Sequence, residues 1–198
     1  KTFIAANLGG IISLLINRVV LIDLDMRKPR FHEVFEGTDP SKGLSTILIK
    51  KHEVEECIHK TNLENLDYIP AGPIPPNPSE LILGGQFEKL MKYLETKYDV
   101  IIIDTPPVGL VTDGIHALKI ATIPIYIVRA DFSKKAFLKN INRLIKVHKL
   151  NNLSLILNSL KKPSNGTYSY GYGYGHGHGY YEDKQAGKTN KLKRLFQS

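Results

Sequence analysis

The chain has 198 residues, 42% of them hydrophobic, with one cysteine and a formal net charge of +8. That length suits a single domain with a sizeable core, and the lone Cys57 excludes an internal disulfide and fits a reducing compartment. Leu8 to Leu21 is broken by Gly9-Gly10, Asn17 and Arg18, so no apolar run is long enough to cross a membrane as a helix.

Thr2 to about Ile16 is apolar nearly all round, the pattern of a helix packed on a sheet. Gly9-Gly10 weakens it by roughly 1 kcal/mol per glycine. Arg18 to Asp23 is a continuous apolar run, expected as a strand buried on both faces. Pro29 stops regular structure, and Phe31 to Phe35 reads as a short helical turn. Leu44 to Lys51 reads as a helix and Leu66 to Pro70 as a short strand. In the following loop Asn77 suits an N-cap, Pro78 the first helical position and Glu80 the third. Leu83, Phe87, Leu90, Met91, Leu94 and Tyr98 recur at three and four residues, so one helix is expected from Pro78 to about Lys97. Val100 to Asp104, Pro124 to Val128 and Leu153 to Leu157 are strands. Asp113 to Ile120 and Lys134 to His148 are helices. The alternation predicts an α/β fold, a mostly parallel sheet with helices on both faces, over residues 1–162.

Residues 163–198 form a separate tail. Six of the ten tyrosines, Tyr168, Tyr170, Tyr172, Tyr174, Tyr180 and Tyr181, lie here, interleaved with glycines. The composition is too glycine-rich for helix or strand and reads as disordered. From Lys161 onward seven basic residues face only Glu182 and Asp183. A basic end favours an acidic partner such as an anionic membrane surface, and a solvated end accounts for it equally well.

The chemistry lies at strand ends, where open α/β sheets bind ligands. Lys1-Thr2 resembles the end of a phosphate-binding loop, G-x-x-x-x-G-K-[ST], whose glycines would precede residue 1. On that reading the chain is a fragment that begins within its own nucleotide site. Lys1 would face phosphates, and the Thr2 hydroxyl would join Mg²⁺. Asp104 closes its strand as a Walker B acid does, where a carboxylate reaches Mg²⁺ directly or through water. Asp23 and Asp25, two apart, provide metal support and a general base, with Asp23 the expected base. Arg27 is expected to pair with a carboxylate or phosphate.

Val19 to Pro29 is similar to the Walker A′ motif of the bacterial tyrosine kinases of capsule and exopolysaccharide synthesis. Asp99 to Val108 is similar to their Walker B motif. Gly43-Leu44-Ser45, Ala71 to Leu81 and Val111-Thr112-Asp113 resemble further blocks, and the tyrosine cluster resembles their autophosphorylation substrate. The resemblance implies a P-loop fold with ATP and Mg²⁺, and catalytic Asp23, Asp25 and Arg27. It implies nucleotide binding by Lys1, Thr2 and Asn158, metal binding by Thr2, Asp23, Asp25 and Asp104, and phosphoacceptors in the six tail tyrosines. It also implies ring-shaped homo-oligomers, a membrane activator protein fused or separate, a tyrosine phosphatase, and a place at the cytoplasmic face of the bacterial inner membrane. The glycines of Walker A and the ring-forming Glu/Arg helix are absent from this sequence, so as it stands it is expected to bind ATP poorly.

A second class shares the Walker motifs: partitioning and division-site ATPases, nucleotide-switched proteins that bind membrane or DNA. The tyrosine cluster discriminates against it. Gly175 to Gly179, with His176 and His178, holds only two close metal ligands. Stacking of the tyrosines on single-stranded nucleic acid is disfavoured because the basic charges lie at the far end, and no nucleic-acid partner is expected.

Overall fold

The computed structural model describes residues 1–160, apart from 16, 36, 108–112 and 134–135. Its elements are α1 (Thr2–Ser13), β1 (Val19–Asp23), α2 (Leu44–Leu48), β2 (His59–Lys60), β3 (Leu66–Ile69), α3 (Pro78–Leu83), α4 (Gln86–Glu95), β4 (Val100–Asp104), α5 (Asp113–Ile120), β5 (Ile125–Arg129), α6 (Ala136–His148) and β6 (Ser154–Asn158). Short 3₁₀ turns span Phe31–Glu33 and Glu55–Cys57. The main sheet has the order β2-β3-β1-β4, and β5 pairs with β6 in a second sheet. All pairings are parallel except the short β2 edge on β3. Thus the expected alternation and parallel sheet are present. The tail tyrosines lie outside the described residues.

β1 is central because every one of its residues is buried. Val19 and Leu21 face one core with Ala6, Phe31, Phe35, Leu66 and Tyr68. Val20 and Ile22 face the other with Leu44, Ile69, Phe87, Leu90 and Leu94. A strand apolar at each position has two faces to bury, and here helices and loops cover both. No helix among the described residues is long and apolar enough to cross a membrane.

Gly9-Gly10 proves to be a packing device rather than a weakness of α1. The helix buries Ala6, Gly9, Gly10 and Ser13, a face of small residues that lets it lie close to the sheet. A Cβ on Gly9 would come within 2.8 Å of Leu21 Cδ2 and 3.3 Å of Leu66 Cδ1. The helix ends at Ser13, three residues short of the expected Ile16. α2 likewise ends at Leu48, before Lys51; Lys50 follows with φ of 59° and closes it.

The single helix expected from Pro78 to Lys97 is two helices. Gly85 sits between them with φ of 72°, a left-handed conformation that breaks the ladder. The apolar periodicity survives the break because Ile82, Phe87, Leu90, Met91 and Leu94 all enter one core. Asn77 takes the N-cap position and Pro78 the first turn, but the Asn77 side chain makes no cap bond. Its Nδ2 instead donates to Glu80 Oε2 at 2.6 Å. Cys57 is fully buried beside Thr46, and burial pushes its thiol up, which makes it structural.

Gly43 joins two loops at the carboxyl end of the sheet. Leu44 N–H donates to Pro70 O at 2.7 Å and Ser45 N–H to Ala71 O at 2.9 Å. A Cβ on Gly43 would lie 2.3 Å from Pro70 O and 2.5 Å from Gly72 N. Both are backbone atoms, so no rotamer change relieves the clash. Gly43→Ala is therefore expected to destabilise the fold by about 3 kcal/mol, the upper part of the range for overpacking. A lowered urea midpoint with unchanged slope checks it.

Candidate active site

β1 and β4 run parallel in register and end together, with Asp23 opposite Asp104. Asp23 is 1% exposed and Asp104 6% exposed. Two acids side by side at the end of a buried sheet repel each other and are poorly solvated. Burial, with Asp104 adding to it, pushes the Asp23 carboxyl up to about 6, against three backbone hydrogen bonds that oppose the shift. Burial also raises Asp104, although Thr2 and Lys1 counteract it.

The start of α1 meets these acids directly. Thr2 Oγ1 donates to Asp104 Oδ2 at 2.5 Å, and Lys1 Nζ donates to Thr105 O at 2.6 Å. Desolvation lowers the Lys1 ammonium despite the attraction of Asp104, Asp25 and Asp23, and Arg30 lowers it further. The structure therefore gathers Lys1, Thr2, Asp23, Asp25 and Asp104 at one strand-end edge.

Asp23 has a second role that the sequence does not display. Its Oδ1 accepts Asp25 N–H at 3.0 Å, and its Oδ2 accepts Arg30 N–H at 3.0 Å and Phe31 N–H at 3.3 Å. The carboxylate thus folds the loop that follows its own strand. Asp25 Oδ1 accepts Lys28 N–H at 3.1 Å and closes the turn between them. Three of the roughly four lone-pair positions on Asp23 are used, which leaves room on Oδ1 for one more partner.

Arg27 meets the start of α3. Its Nη2 donates to Ser79 Oγ at 2.9 Å in the first turn of α3. That bond ties the loop after β1 to the start of α3. Asn158 is the last residue of β6, not the residue after it, and pairs with Arg129 on the second sheet. None of its described bonds reaches the carboxylates. Ser79, Arg30 and Phe31 were not legible as site residues. Their roles rest on a backbone amide or a single hydroxyl, for which no side-chain signature exists.

The residues fit a magnesium–nucleotide complex. Among the described residues no three His, Cys, Asp or Glu side chains form a ready-made metal cluster. Mg²⁺ needs none: it takes one or two carboxylates, keeps waters and completes its shell with substrate phosphates. Two buried carboxylates side by side suit a cation, and the Thr2 hydroxyl and the Lys1 ammonium lie beside them.

Comparison with known proteins agrees with this geometry. The family model for an AAA domain, AAA_31, matches residues 1–157. The tyrosine-protein kinase wzc of Salmonella typhi is 47% identical over 114 residues, 58% of this chain and 16% of that protein. The chain therefore spans less than a fifth of that relative's length. The putative tyrosine-protein kinase CapB of Staphylococcus aureus is 35% identical over 168 residues, 85% of this chain and 73% of that protein. The kinase domain of Escherichia coli tyrosine kinase ETK matches with a TM-score of 0.77 and 31% identity, over 88% of this chain and 68% of that one. With its family model matched almost from end to end of the described residues, and with CapB covered over most of its length, the chain belongs to the P-loop family of the bacterial tyrosine kinases.

Proposed function

We propose that the chain is the catalytic module of an ATP-dependent protein-tyrosine kinase, and that its main substrates are Tyr168, Tyr170, Tyr172, Tyr174, Tyr180 and Tyr181 of a neighbouring copy. The observation that carries this reading is the in-register pair Asp23 and Asp104, with Thr2 bonded to Asp104. Buried paired acids next to a lysine and a threonine suit phosphoryl transfer, in which charge neutralisation and positioning supply most of the catalysis.

Lys1 places a positive charge against the transferring phosphates. Thr2, Asp104 and Asp25 would hold Mg²⁺, which would supply positive charge against the developing charge of the phosphates. Asp23 takes the phenolic proton through its remaining Oδ1 position as the tyrosine oxygen attacks the γ-phosphorus. The bond from that phosphorus to the β–γ bridging oxygen breaks, and ADP leaves. Burial raises this carboxyl to about 6 in the nucleotide-free protein, which strengthens it as a proton acceptor. Asn158 is assigned to the adenine on the family resemblance.

The same reading extends to the setting. It places the kinase at the cytoplasmic face of the inner membrane in a ring of copies, stimulated by a membrane activator and reset by a tyrosine phosphatase. Its output is control of exopolysaccharide or capsule polymerisation and export. The experiment is mass spectrometry of the full-length protein after incubation with Mg-ATP. Phosphotyrosine is expected at the six tail positions. ATP hydrolysis without phosphotyrosine would overturn the assignment.

A further inference from the structure

The sheet order separates two sides of the site. Asp104 at the end of β4, with Lys1 and Thr2 at the start of α1, marks the phosphate side. In-line transfer requires the attacking oxygen to approach from the other side. Across β1 lies β3, and there the loop after β1 meets the first turn of α3. That loop carries exposed Arg27, Lys28 and Arg30 within four residues.

The backbone that carries these cations is held in place by the site itself. Asp25 accepts Lys28 N–H, Asp23 accepts Arg30 N–H, and Ser79 accepts the Arg27 guanidinium. The acids at the centre of the site thus order a basic rim around it. Glu33 pairs with Arg30 at 3.5 Å, but both side chains are more than half exposed, so the pair neutralises little.

The tail has a matching feature. From residue 161 onward its acidic residues are Glu182 and Asp183, directly after Tyr180-Tyr181, and no acid lies among Tyr168 to Tyr174. We propose that the turn Arg27-Lys28-Pro29-Arg30 selects the acceptor, and that it receives Tyr180-Tyr181-Glu182-Asp183 of a second copy before the other tyrosines. This rests on the kinase reading above and adds a specificity and an order to it. Opposite charges at a rim steer the encounter and fix its register more than they raise affinity. Each phosphate transferred adds about −1.5 to −2 charges near pH 7. Phosphorylation at Tyr180 and Tyr181 therefore lengthens the acidic stretch toward Tyr174, and modification proceeds from the carboxyl end of the cluster toward its amino end. Ser79 is a positioning residue in this scheme, because it acts through Arg27.

The test is site-resolved mass spectrometry of the full-length protein at short times with Mg-ATP. In wild type, phosphate at Tyr180 and Tyr181 should appear about fivefold faster than at Tyr168, the scale of one or two exposed ion pairs. Lys28→Glu, and separately Glu182→Gln with Asp183→Asn, should each flatten the ratio. Lys28→Glu with Arg30→Glu takes the turn from three positive charges to a net single negative one, and combined with Glu182→Lys and Asp183→Lys it should restore the ratio, which merely structural roles for Lys28 and Arg30 would not do. Raised salt should flatten the wild-type ratio as well. Equal site rates in wild type, Tyr168 first, or no rescue by the charge swap would overturn the proposal while leaving the kinase reading intact. Absence of any phosphotyrosine would overturn both.

Discussion

Lys1→Met and Asp104→Asn, each made in the full-length protein, are expected to lower the rate of tyrosine phosphorylation by about 10²- to 10³-fold, the scale for losing one preorganised charge at a transfer site. Lys1 Nζ makes one bond to a backbone oxygen, and its loss removes little packing. Asp104→Asn is the more informative of the two. An asparagine oxygen still accepts the Thr2 hydroxyl, so the start of α1 stays anchored. The Asp104 carboxyl is raised by burial, so the stability it contributes is complete at low pH, below its unfolded value. That stability is lost as pH rises and the buried group ionises. Asparagine avoids the loss. The nucleotide-free variant should therefore melt higher than wild type at pH 8 and lose that advantage near pH 4. A dead enzyme that is also more stable at pH 8 separates a site defect from misfolding, because misfolding would lower stability along with activity.

Asp23 carries the second large effect. Its shift from 3.8 to about 6 corresponds to roughly 3 kcal/mol of differential stability between its two protonation states. The sign follows from the raised value: this contribution is fully present below about pH 4 and is lost as pH passes through 6. Carboxyl ¹³C shifts in the nucleotide-free protein should show Asp23 titrating near 6, and Mg-nucleotide should move that titration down. Asp23→Asn should not reproduce the gain expected of Asp104→Asn. An amide cannot accept all three backbone N–H groups, and its own NH₂ would face one of them. A buried donor left without a partner costs about 1–3 kcal/mol. The variant should lose transfer more than nucleotide affinity, with faster amide exchange at Arg30 and Phe31. Equal loss of affinity and turnover would leave Asp23 as a support for the loop and the metal only.

The strands and their acids were legible because a buried parallel strand has no polar residue except where it ends. Val19 to Asp23 and Val100 to Asp104 state both the strand and the site in five residues each. The register that sets Asp23 against Asp104 was not legible, since neither strand encodes its neighbour. Gly9 and Gly85 show why local rules misled. The same residue type marks close packing against Leu21 in one case and a helix break in the other, and propensity alone scores both as weakness. Arg27 pointed toward a carboxylate or phosphate on its charge. Ser79, which holds it, sits 52 positions away. Arg30 and Phe31 contribute backbone amides to Asp23, and any non-proline residue has such an amide.

The central claim is that these strand-end acids transfer phosphate to the tail tyrosines of another copy. The direct measurement mixes two full-length subunits with radiolabelled Mg-ATP. One carries Lys1→Met and an intact tail. The other has an intact site and Phe at positions 168, 170, 172, 174, 180 and 181. Label should appear on the tyrosines of the Lys1→Met subunit, and neither subunit alone should acquire tail label. If the mixture releases inorganic phosphate while the Lys1→Met tail stays unlabelled, the site is that of an ATPase and the kinase account is wrong.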